Sequence, residues 1–138
     1  MSNNIIEYPS EFTKDRVKKE LGATGNYERS VWNYGDYNIW YLHLAKQKPT
    51  GGWISTANNG RINIWYQDAK DALIFEMLGN EKHWPAGDKL VLVFASHDES
   101  SKYDFKGVFK CYDTDDGVID HVFKRVSKGF DIDEKKPI

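Results

Sequence analysis

Residues 89–128 read KLVLVFASHDESSKYDFKGVFKCYDTDDGVIDHVFKRVSK, and three successive strands can be read from them. Lys89 to Ala95 is a continuous apolar run of central-strand length. Lys102 to Tyr112 alternates, with Tyr103, Phe105, Gly107, Phe109 and Cys111 on one side and Lys102, Asp104, Lys106 and Lys110 on the other. That pattern predicts an antiparallel strand with a core face and a wet, basic face. Asp113 to Gly117 supplies a turn, and Val118 to Val126 returns as the hairpin partner. Gly107, inside the middle strand, signals a bulge or a close backbone approach.

Upstream, Asp36 to Ala45 places Trp40, Leu42 and Leu44 on one face and Tyr37, Ile39, Tyr41 and His43 on the other. Large side chains on both faces predict a strand buried on two sides. A turn-rich loop, Lys46 to Gly52, leads to a further turn at Asn58-Asn59-Gly60 and a strand from Arg61 to Tyr66. Asp68 is expected to cap an apolar helix from Ala69 to Leu78, which Gly79-Asn80 ends. Near the start, Ser10 is expected to cap a helix running to Leu21, stopped by Gly22. Phe12, Val17 and Leu21 give that helix a narrow apolar edge among Lys14, Arg16, Lys18 and Lys19. It reads as a solvated lid, with a phosphate-contacting helix as the alternative. The element order predicts an α+β fold, a small curled mixed sheet with peripheral helices, and a partly closed barrel would remove its edges. One domain spans 1–138, with its core at about 28–128 and frayed ends at 1–4 and 131–138.

With 40% hydrophobic and 29% charged residues, the composition excludes a disordered chain. No apolar run approaches the ~20 residues of a spanning helix, and no secretory pattern opens the chain. Cys111 is the one cysteine, which excludes an internal disulfide framework and a Cys-based zinc site and fits a reducing cytoplasm. Its place on the core face predicts a structural thiol. Nineteen basic against twenty-one acidic residues leave a net charge of −2, so any anion-binding face must be local. Lys102, Lys106, Lys110, Lys124, Arg125 and Lys128 supply such a face on one hairpin and its end, where lysines also serve to keep an edge hairpin soluble. Aromatic residues reach 14%, volume for a β-rich core and stacking planes for flat ligands.

No GxSxG, Walker loop, GxGxxG or HExxH is present. His43, His83, His97 and His121 never pair at metal-ligand spacing, and His97-Asp98-Glu99 reads as a solvated turn. The expectation is therefore no catalytic residue, no metal and no cofactor. The stretch that stands out is Gly51 to Lys70, GGWISTANNGRINIWYQDAK. A pocket for an extruded base needs aromatic faces, here Trp53, Trp65 and Tyr66, and a carboxylate or amide for the base edge, here Asp68 and Asn59. It also needs basic residues for phosphate, here Arg61 and Lys70, with Lys102 and Lys106 from the hairpin. Each of these also has a plain structural reading as core, turn or helix cap.

Together these runs resemble PUA-like small β-barrels, with the closest likeness to the SRA-like and EVE-like modified-base readers. Leu92 to Ala95 matches an "lvFa" strand and Tyr103 to Phe109 a "Y.F.Gvf" strand. A "GW…dG.I.Y.gD.k" pattern is echoed by Gly52-Trp53, Asn59-Gly60, Ile62 or Ile64, Tyr66, Asp68 and Lys70. The likeness spans roughly Val31 to Ser127. It implies a PUA-like barrel that flips a modified base of DNA, ahead of RNA, into an aromatic pocket, as in restriction–modification systems. It aligns Tyr66 and Asp68 with the pocket-forming aromatic and acid. Gln67 stands where the family has glycine, a departure that bears on how closely backbone and base approach. With no nuclease motif in the chain, cleavage would fall to a partner chain. Two other readings stay open: a nucleoside or metabolite sensor using the same aromatic pocket, and an enzyme acting on RNA or a nucleotide.

Overall fold

The computed structural model describes residues 4–25, 31–47, 52–55, 64–67, 73–77, 89–97, 102–113 and 119–138. Its centre is a parallel pair. Strand β4 (Tyr37–Gln47) runs alongside β8 (Leu90–His97), with Tyr37 opposite Leu90 and Leu44 opposite His97. Both strands are apolar on both faces, and the pair divides two cores. Ile39, Tyr41, Leu92 and Phe94 enter a first core, while Trp40, Leu42, Val91, Val93 and Ala95 enter a second.

The other pairings are antiparallel. From β4 the sheet continues through β5 (Gly52–Ser55), β6 (Ile64–Gln67) and β7 (Leu73–Met77). From β8 it continues through β9 (Tyr103–Asp113), whose far end also takes β2 (Glu11–Phe12). Strand β10 (Ile119–Ser127) pairs with β9 along one side and with β7 along the other. The short β3 (Val31–Tyr34) forms a hairpin with β4. The class is thus β-rich α+β, with a mixed sheet as expected and one short helix among the described residues.

That helix, α1 (Lys14–Leu21), begins three residues later than the Ser10 cap predicts. Thr13 is its N-cap, accepting from the Arg16 N–H at 3.2 Å, and Gly22 ends it at φ +69°. Glu11 and Phe12 are taken instead by β9, opposite Asp104 and Tyr103. Val17 and Leu21 seat the helix on the first core, and the buried Tyr34 hydroxyl donates to the Leu21 carbonyl at 2.8 Å.

The expected helix over 69–78 is corrected: Leu73–Met77 is strand β7, hydrogen-bonded on both sides. LIFEM is a short run rich in β-formers, and such runs fit either period until pairing decides. The C-terminal end is corrected as well. Strands β11 (Gly129–Asp131) and β12 (Lys136–Pro137) form a second sheet with β1 (Ile5–Glu7), in the order β1-β11-β12. Phe130 and Ile132 are buried in the first core, so the core extends past 128 and residues 131–138 are not frayed.

The bulge signalled by Gly107 is present. Val93 faces Gly107 but Phe94 faces Phe105, which leaves Lys106 as the extra residue. An inserted residue inverts the parity of everything beyond it. Tyr103 and Phe105 therefore enter the first core, whereas Phe109 enters the second with Cys111 packed against it. The expectation that all four share one face is corrected by that single residue.

Candidate nucleic-acid interface

The bulge also relocates a charge. Lys106, expected on a wet face, is only 4% exposed. Its ammonium lies 5.2 Å from the ring centre of Tyr66 and 5.8 Å from that of Tyr8. The Asp104 carboxylate is 4.0 Å away. Burying an ammonium is costly unless aromatic faces and a carboxylate offset the lost hydration. Arg125 closes the group from the neighbouring strand. Its guanidinium donates to the Lys106 carbonyl at 3.3 Å and stacks on Tyr8, 4.8 Å from the ring centre. Such contacts are worth roughly 0.5–2 kcal/mol each, more when desolvated. Gly107 makes this packing possible, because at φ +115° a Cβ would lie 2.6 Å from both the Arg125 Cδ and the Ser127 carbonyl oxygen. Beside Tyr8 opens a shallow cavity of about 240 Å³, bordered by Glu7, Ser127 and Lys128.

Of the residues singled out from sequence, the structure brings Tyr66 and Lys106 together. Tyr66 is held between β5 and β7, opposite Trp53 and Ile74, and is fully buried in the second core. Trp65 takes the register position opposite Ile54 and Phe75, and Gln67 the one opposite Gly52 and Leu73. Asn59, Arg61, Asp68 and Lys70 lie outside the described residues. Lys102 is exposed at the head of β9, 3.8 Å from the Glu11 carboxylate. Tyr8 and Arg125 were not read as pocket residues. Tyr8 stands before Pro9, ahead of any periodic pattern, and Arg125 counted only as one of six hairpin cations. The signal that could have found both is Gly107, since a bulge re-aims the residue before it.

The helix carries less of the interface than its lysines suggest. Lys14 lies 4.8 Å from the ring centre of Tyr41 and Lys18 lies 5.6 Å from that of Trp32. Arg16 pairs with Glu20 and stacks on Phe12. Partial burial holds the Lys14 pKa below the usual lysine value. Three of its four cations thus make contacts within the chain.

The described residues thus form a β-rich α+β domain with a buried aromatic–cation cluster beside a basic hairpin. Residues 6–132 match the family model of the SET and RING associated (SRA) domain, nearly the whole chain, and the chain belongs to that family. SRA domains bind DNA carrying modified bases. Comparison with curated proteins and with solved structures gives no match. No helix among the described residues is long and apolar enough to cross a membrane.

Proposed function

We propose that the chain is a non-enzymatic reader of a modified base in DNA, which it flips into the region between Tyr66 and Tyr8. The observation that carries this reading is the Lys106 ammonium lying over both rings, in a chain of the SRA family. An aromatic face that accepts a cation also accepts a flat base. Tyr66 is fully buried with the ammonium against it, so base insertion exchanges one for the other. The displaced ammonium then turns toward Asp104 or a DNA phosphate. Trp53, which shares the register position of Tyr66, offers a second stacking face and Asn59 an amide, Asp68 polarises the base edge, and Arg61, Lys70 and Lys102 meet the backbone. The pairing of β10 with both β7 and β9 supports a partly closed PUA-like barrel around the second core. The single cysteine supports a reducing cytoplasm, where a separate nuclease chain would supply any cleavage in a restriction–modification setting.

The test is fluorescence anisotropy with duplexes that carry cytosine or adenine modifications, each against its unmodified twin. Wild type should prefer one modified duplex, and Tyr66→Leu should lose about 1–3 kcal/mol of that binding, the worth of one stacked base. No preference across the panel would overturn the proposal.

A further inference from the structure

Within β9 and β10, Lys110 and Lys124 stand directly opposite each other, and both are exposed. Like charges at facing positions repel and weaken a sheet. The same outer face carries the half-buried Val122 opposite the exposed Tyr112, and the exposed Val126. Lysines are commonly kept on exposed strands to block edge-to-edge pairing. That explanation fails for Lys124, which is paired with Leu73 on its other side, while Lys110 stands one residue beyond the last β8–β9 pair, Val91 with Phe109. Nor does composition force the clash, since acidic residues outnumber basic ones in the chain.

We infer that Lys110 and Lys124, with Tyr112 beside them, form a docking strip for the sugar–phosphate backbone of duplex DNA, an assignment that rests on the DNA-reading function proposed above. Two phosphates would remove the repulsion that the free protein tolerates. Tyr112 is 43% exposed and lies 5.4 Å from the Lys110 ammonium, so it offers a flat surface to a sugar where that ammonium meets phosphate. A second copy of the chain is a poor occupant, because docking this face on itself would gather four lysines.

The experiment measures affinity against salt for a 5-methylcytosine duplex and its unmodified twin, using wild type and the double variant Lys110→Gln/Lys124→Gln. Each lost phosphate contact removes about 0.9 from the slope of log K against log salt, so the double variant should lose about 1.8. It should lose affinity equally for both duplexes, leaving the ratio between them unchanged. Lys110→Glu alone should bind DNA still less well yet melt at higher denaturant, because it converts a repelling pair into an attracting one. A wild-type slope in a double variant folded by circular dichroism would overturn the inference and leave the base-reading function standing. So would a changed duplex ratio at unchanged slope, or polyglutamate bound as tightly as DNA. Wild type that binds neither duplex would overturn both.

Discussion

The Arg125 side chain runs directly across Gly107, its Cδ 2.6 Å from where a β-carbon on that glycine would stand. The contact joins the β9 bulge to the strand that returns from it, and it fixes where the Lys106 ammonium points. Gly107→Ala should therefore be among the most damaging single-methyl changes in the protein. The positive φ contributes roughly 1–3 kcal/mol of backbone strain and the overlap a similar amount. Denaturant melts should show the loss. Adding Arg125→Ala should recover only part of it, since the Ser127 carbonyl crowds the same point.

Phe105 and Phe109 lie in one strand but in different cores. Each truncation to alanine should cost roughly 3–5 kcal/mol. Because the two side chains share no packing neighbours across the sheet, their costs should add to within about 0.5 kcal/mol. Wild-type-like melting of Phe109→Ala, or strong coupling between the two, would contradict the parity change at the bulge.

Lys106→Met keeps the length of the side chain and removes its charge. Replacing a buried charge with an apolar group is often neutral or stabilising, so the melt should hold or improve. In DNA binding, the same variant should lower the salt slope by about 0.9 if the ammonium moves onto a phosphate when the base inserts. An unchanged slope would place Lys106 in the fold alone.

Stability at alkaline pH should follow the buried phenols. Burial raises the pKa of Tyr103, and burial, then the neighbouring Tyr37, raises that of Tyr34. A group whose folded pKa lies above its unfolded value of 10.0 stabilises fully below that value, and the contribution fades as pH rises through the folded pKa. Lys14 acts in the opposite sense. Its folded pKa is depressed by burial, so stability gains slightly as pH climbs toward its unfolded 10.5. The tyrosines should dominate above pH 10, and Tyr103→Phe should shrink the loss in urea midpoint between about pH 8 and about pH 11. An unchanged loss would show that Tyr103 is not a contributor.

Much of this architecture was legible because it follows from local period. KLVLVFA and the doubly apolar Asp36–Ala45 run could only be strands shared by two cores, and Gly22 could only end a helix. What escaped was decided by distant partners. Leu73–Met77 is a strand because β6 and β10 flank it, and no window of sequence contains both. Phe130 and Ile132 are core because Ile5–Glu7 meets them from the other end of the chain. In the candidate site, Tyr66 and Lys106 were each nominated, for stacking and for phosphate. Their proximity was invisible, because strict alternation sends Lys106 outward and only the extra residue of the bulge turns it in.

The small sheet that joins the two ends carries a consequence for how the chain is made. Among the described residues, Ile5–Glu7 finds its strand partner in Gly129–Asp131. At synthesis rates of about 5–20 residues per second, β1 would be made roughly 6 to 25 seconds before the strand it pairs with. Over that interval its backbone donors face water or chaperone, and the first core stays open on the side that Phe130 and Ile132 later fill. Sheets completed by contacts this remote in sequence are also the slow ones to fold, in milliseconds to seconds rather than microseconds. Gly129–Asp131 therefore acts as a clock: β1 is made seconds before it and is locked only when it arrives.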